Sequence, residues 1–177
     1  MAAIFIIALL HLCFSAGERP PLPDIICGDI GQFTRASAWL TRENIISVYS
    51  NGIYEFLEDR KADKLVDGDS KTMAQPGGQG NELDYIIELA DVYRIKKAVI
   101  DWGDFGLSSS TGHIGWWSLQ ARLPGEEWRT VAQGKTPEKS LLILDTNFTA
   151  KDLRLEAGHE EVWIGVFELK LLGRPRH

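Results

Sequence analysis

From residue 83 onward the chain alternates apolar and polar positions over short stretches. Residues 85–89 (YIIEL), 95–102 (IKKAVIDW) and 117–123 (WSLQARL) are rich in β-branched or aromatic side chains with partial period two, the pattern of half-buried antiparallel strands. Further strands are expected at 128–132, 141–144, 153–156 and 163–172, with turn chemistry such as Pro124-Gly125-Glu126-Glu127 between them. Many short strands separated by roughly a dozen residues each predict an all-β, antiparallel β-sandwich or jelly roll. Helical periodicity is weak: residues 53–64 (IYEFLEDRKADK) carry only a short apolar stripe and are read as a loop holding a helical turn or two.

The beginning of the chain breaks this pattern. Residues 2–16 (AAIFIIALLHLCFSA) are apolar except for His11 and Ser15, and small and polar residues follow. This marks residues 1–17 as a signal peptide, 18–24 with Pro20, Pro21 and Pro23 as a linker, and 25–174 as one domain. The run is shorter than the roughly 20 residues of a spanning helix, and no second one occurs, which excludes a multispanning membrane protein. No Lys or Arg precedes the apolar run, so a retained N-terminal anchor is the alternative to a cleaved signal and a secreted, extracellular protein.

Net charge is -6 with acidic and basic residues interspersed, which argues against a nucleic-acid partner or a strong pull toward anionic lipid. Cys13 falls in the presumed signal, leaving Cys27 without an intrachain partner; the apolar triplet Ile25-Ile26-Cys27 favours a buried thiol over an intermolecular bridge. Such a domain is long enough to bury a core without disulfides. His113 and His159 have no nearby Cys, and the chain lacks H-E-x-x-H, a P-loop and a G-x-S-x-G elbow, so no enzyme is expected.

Residues 64–72 (KLVDGDSKT) concentrate two carboxylates, a glycine and a hydroxyl in a tight turn. Calcium takes six to eight hard oxygens, and such a loop can supply several. Read alone, an ordinary Asp-Gly turn also accounts for it.

Around this loop the chain resembles the coagulation factor V/VIII type C, or discoidin, family, and within it the family 32 carbohydrate-binding modules. Residues 36–38 (ASA), 62–72 (ADKLVDGDSKT), 84–89 (DYIIEL) and 95–103 (IKKAVIDWG) are similar to successive motifs of that family. So are 117–121 (WSLQA), 127–132 (EWRTVA), 152–155 (DLRL) and the closing 164–173 (IGVFELKLLG). One departure is Met73-Ala74-Gln75, where the family usually carries an aromatic after the threonine.

The resemblance implies a galactose-binding-domain-like sandwich. It also implies a structural Ca2+ held by Lys64 (carbonyl), Asp67 (carboxylate), Asp69 (carbonyl), Thr72 (carbonyl and hydroxyl), Phe167 (carbonyl) and Glu168 (carboxylate). Such an ion would tie an early loop to the last strand.

The loop 103–115 (GDFGLSSSTGHIG) is the longest polar connection in the second half of the chain, and long loops on a rigid sandwich commonly carry binding residues. Asp104, Phe105, His113 and Trp116 offer aromatic faces and planar polar groups suited to a sugar. Trp116 and Trp117 must face opposite sides of a strand; Trp117 is expected in the core and Trp116 outward, with the swapped arrangement as the alternative. Loops 157–163 and 75–81 are further candidates, and Asn147-Phe148-Thr149 is an N-glycosylation acceptor. The expected function is a non-catalytic carbohydrate-binding module. The alternative is a phospholipid-binding, cell-adhesion or protein-recognition domain.

Overall fold

The structure is a computed structural model that describes residues 36–50, 58–75, 81–103, 114–135, 137, 139–159 and 164–176. The expected signal peptide, linker, domain start at residue 25 and Cys27 lie outside the described residues. Among the described residues there are seven strands: β1 (Ala38–Trp39), β2 (Ile45–Ser50), β3 (Glu82–Asp101), β4 (Trp116–Arg122), β5 (Arg129–Lys135), β6 (Leu141–Gly158) and β7 (Glu168–Pro175). All pairings are antiparallel, in the order β1-β7-β3-β6-β4-β5 with β2 added against β3. The helical content of the described residues is three 3-10 turns, Arg42–Asn44, Glu58–Arg60 and Ala62–Val66, and none of their helices is long and apolar enough to cross a membrane.

Two pairs of expected strands are corrected to single elements. Residues 85–89 and 95–102 are the halves of the 20-residue β3, and 141–144 and 153–156 belong to the 18-residue β6. The register explains how one strand does two jobs. It runs from Glu88↔Asp152 to Tyr93↔Ala150, so five steps along β3 are matched by two along β6, and the paired strands bend at this irregularity. One long ladder of β3 and β6 therefore carries β2 along its first half and β7 along its second.

Burial follows this geometry. Leu83, Tyr85, Ile87, Leu89 and Ile95 point inward at odd positions; past a bulge at Lys96-Lys97 the inward set shifts to Ala98 and Ile100, followed by Trp102. On β6 the inward set changes from Phe148 and Ala150 to Leu153, Leu155 and Ala157. A one-residue slip flips side chains to the other face, so the irregularities keep apolar residues inside on either side of the bend. The inward residues of both layers form one hydrophobic cluster, each fully buried large aliphatic side chain contributing about 1.5–3 kcal/mol.

The closing strand begins at Glu168, later than expected, because Val166 pairs with Ala74 in an isolated bridge before β7 starts. Met73, standing where the family usually has an aromatic, packs its sulfur over Gly165, where an added Cβ would lie 2.6 Å from it.

Candidate functional site

The loop 64–72 is organised by its own side chains. Asp67 Oδ1 accepts from the Asp69 N–H (2.9 Å), and Asp67 Oδ2 lies 2.8 Å from Thr72 Oγ1 and 3.5 Å from Lys64 Nζ. Asp69 turns its carboxylate to the Lys71 N–H (3.0 Å), and its carbonyl oxygen lies 2.9 Å from Thr72 Oγ1. The threonine hydroxyl thus faces two oxygens with one proton, so the loop gathers more acceptors than its hydrogens can serve. Gly68 adopts φ 82°, a left-handed conformation at which a side chain would be strained.

Glu168, the first residue of β7, closes the arrangement. It is 3% exposed, and its Oε2 has no hydrogen-bond partner among the described residues. Burial raises its pKa to about 7; Lys170 and the Gly68 N–H oppose this, and Asp67 and Asp101 add to it. A buried carboxylate oxygen without a partner, beside other carboxylates, suits a cation. Among the described residues no three His, Cys, Asp or Glu side chains converge on one point, so an ion here would depend on the loop carbonyls as well as on Asp67 and Glu168. Phe167, the remaining expected contributor, donates its N–H to the Asp101 carbonyl (2.8 Å), and its ring lies on Gly103.

Of the residues singled out for a ligand, Asp104, Phe105 and His113 lie outside the described residues. Trp116 begins β4. It is 42% exposed, whereas Trp117 is 6% exposed and belongs to the core, which decides the orientation the sequence left open. Each indole lies across a cross-strand glycine. A Cβ on Gly158 of β6 would meet Trp116 Nε1 at 2.6 Å, and one on Gly134 of β5 would meet Trp117 Nε1 at 2.8 Å. The ends of the three candidate loops meet beside Trp116: the Gly115 N–H donates to the Gly158 carbonyl, and the His159 N–H to the Asn81 carbonyl, both at 2.8 Å.

Below Trp116 the outward side chains of β3, β6 and β4 form a polar ladder. Arg154 holds Asp84 with two hydrogen bonds, Nε to Oδ1 at 2.7 Å and a terminal nitrogen to Oδ2 at 2.6 Å, and lies 2.9 Å from Glu156. Gln120 donates its amide to the other Glu156 oxygen. Arg122 pairs with Asp152 at 2.7 Å and places its guanidinium over the Trp128 ring. Burial raises the pKa of Glu156, with Arg154 opposing and Asp84 reinforcing. None of these ladder residues was singled out from sequence. The available signal was the i, i+2 polar series Trp116, Ser118, Gln120, Arg122, which does not by itself reveal its cross-strand partners.

No protein-family model matches the chain, and no curated protein matches it by sequence. Solved structures do match in fold. CpGH89CBM32-5 from Clostridium perfringens, solved with GalNAc-β-1,3-galactose, superposes with TM-score 0.60 at 18% identity over 76% of this chain and 99% of that one. Chitosan-binding module 1 of a chitosanase/glucanase from Paenibacillus gives TM-score 0.57 at 15% identity over 72% and 93%. A GH29 fucosidase of Ruminococcus gnavus gives TM-score 0.62 at 16% identity over 74% of this chain and 25% of the enzyme. The chain therefore has the discoidin-type, galactose-binding-like β-sandwich fold of family 32 carbohydrate-binding modules.

Proposed function

We propose that this chain is a secreted, non-catalytic carbohydrate-binding module whose sandwich is stabilised by calcium. The observation that carries the carbohydrate reading is Trp116, an exposed indole packed over Gly158 where the ends of three candidate loops meet. A flat aromatic face takes the apolar C–H face of a pyranose, and neighbouring planar polar groups take its hydroxyls. Neighbours of the same fold include modules solved with GalNAc-β-1,3-galactose and with 4,5-unsaturated mannuronic acid. Residues 1–17 support export, and Asn147, exposed on β6 with its Oδ1 accepting from Arg94 Nε at 2.9 Å, is the proposed glycan acceptor.

The calcium reading rests on the acceptor-rich loop 64–72 and on Glu168 Oε2, which has no partner among the described residues. Asp67 and Glu168 would supply carboxylate oxygens, and Lys64, Asp69, Thr72 and Phe167 would supply carbonyls. The ion would offset the charge gathered there and join the loop to β7. Its role is structural.

A glycan array probed with the full chain in calcium-containing buffer tests the function; no binding to any glycan defeats it. A second reading, recognition of a protein or phospholipid surface, is favoured by the exposed Trp39, Leu141 and Ile143. Capture on vesicles and silence on the array would select the lipid form of that reading.

A further inference from the structure

Resting on the carbohydrate reading, the geometry points to a more specific site: the outward face of β4 and β6 is the floor of the sugar site, and it takes an uncharged pyranose. The register defines this floor. Trp116 lies opposite Gly158, Ser118 opposite Glu156, and Gln120 opposite Arg154. All are on the face opposite the buried Trp117, Leu119, Leu155 and Ala157. Successive rows on one face are about 6.6–6.8 Å apart, a spacing that puts a ring stacked on Trp116 within reach of the Ser118–Glu156 row. Because Gly158 has no side chain, the indole approaches the sheet at that position, and Trp116 still keeps 42% of its surface exposed.

The polar groups of the next rows are held before any ligand arrives. Gln120 and Arg154 both bond Glu156, and Arg154 is fixed in turn by Asp84. Their side chains keep about a fifth of their surface open: 17% for Asp84, 22% for Arg154 and 21% for Glu156. Groups locked by mutual hydrogen bonds lose little rotamer freedom when a ligand binds. The row beside the indole, continued to Asp84 on β3 and Gln133 on β5, holds two carboxylates and no cation. Arg154 of the next row pairs with both carboxylates, so the floor offers hydrogen-bonding groups with little free charge and suits the hydroxyls of a neutral sugar rather than a uronate, a sulfate or an amine.

The test compares wild type with Trp116→Ala, Gln120→Ala and Gly158→Ala on an array of neutral, amino and acidic glycans, with melting temperatures recorded alongside. The expected result is binding confined to neutral glycans. Trp116→Ala should lose about tenfold or more in affinity, the size of a hot-spot contact. Gly158→Ala should weaken binding although the tryptophan remains, and Gln120→Ala, a smaller change, guards against a folding defect. Wild-type binding that all three variants retain overturns this location while leaving the carbohydrate reading intact. Tightest binding to acidic or amino glycans overturns the ligand class. Silence of the wild type on every glycan defeats the carbohydrate reading itself.

Discussion

Trp116 rests its indole on Gly158, its cross-strand partner on β6, and a methyl group on that glycine would fall 2.6 Å from the ring nitrogen. Trp117 makes the mirror contact with Gly134 of β5 on the inner face. The two contacts differ in what surrounds the ring, since Trp116 is 42% exposed and Trp117 6%. Gly134→Ala should therefore cost about 1–3 kcal/mol, the usual range for overpacking a closed core. Gly158→Ala should stay within about 1 kcal/mol, because an exposed ring can swing aside. Urea unfolding of the two variants checks this, and equal losses would contradict it.

Arg154 separates two carboxylates that would otherwise face one another. Removing it as Arg154→Ala leaves Asp84 and Glu156 partly buried without their cation, with an expected loss of about 1–3 kcal/mol. Asp84→Ala in the Arg154→Ala background should cost less than in the wild type. A double-mutant cycle measures that coupling, and strict additivity would show that the pair contributes nothing.

The buried carboxyl of Glu168 predicts a pH dependence of stability in chelator. Its pKa is raised from 4.5 to about 7 in the folded chain, so between these values the folded state holds a proton that the unfolded state has released. This group's contribution therefore falls as pH rises through that window, by on the order of 3 kcal/mol in full. Metal-free protein should melt higher at pH 5 than at pH 7.5, and Glu168→Gln should flatten the difference.

Calcium should raise the melting temperature at pH 7.5, following mass action. Asp67→Ala and Glu168→Ala should remove that response. A melting temperature indifferent to both calcium and chelator would refute the ion site.

Expression in a eukaryotic secretory host should attach an N-glycan at Asn147, whose side chain is exposed beside Arg94. Mass spectrometry before and after enzymatic deglycosylation reads the modification, which Asn147→Gln should abolish. An unmodified Asn147 in secreted protein would overturn the assignment.

Much of the sandwich is written locally. Alternation of the type seen at Leu83-Asp84-Tyr85 and Trp117-Ser118-Leu119 reports a strand with one buried face wherever it occurs, and Asp67-Gly68-Asp69 needs a tight turn because of its glycine. β2 was not legible although Ile45, Ile46, Val48 and Tyr49 are strand formers, because its buried and exposed positions do not alternate with period two. The joining of residues 85–89 to 95–102 was not legible either. Ala90-Asp91-Val92 reads as a break, and only pairing with β6 and β7 carries the strand through it.

The sequence by itself determined the layered β architecture, the inward apolar set and the composition of the acidic loop, because these depend on residue type and short-range spacing. Tertiary structure alone decided which tryptophan faces out, that Gly158 lies beneath it, and that Arg154 links Asp84 to Glu156. These contacts join residues far apart in the chain. They exist only through the register of β3, β4 and β6, which packing across the whole sandwich sets.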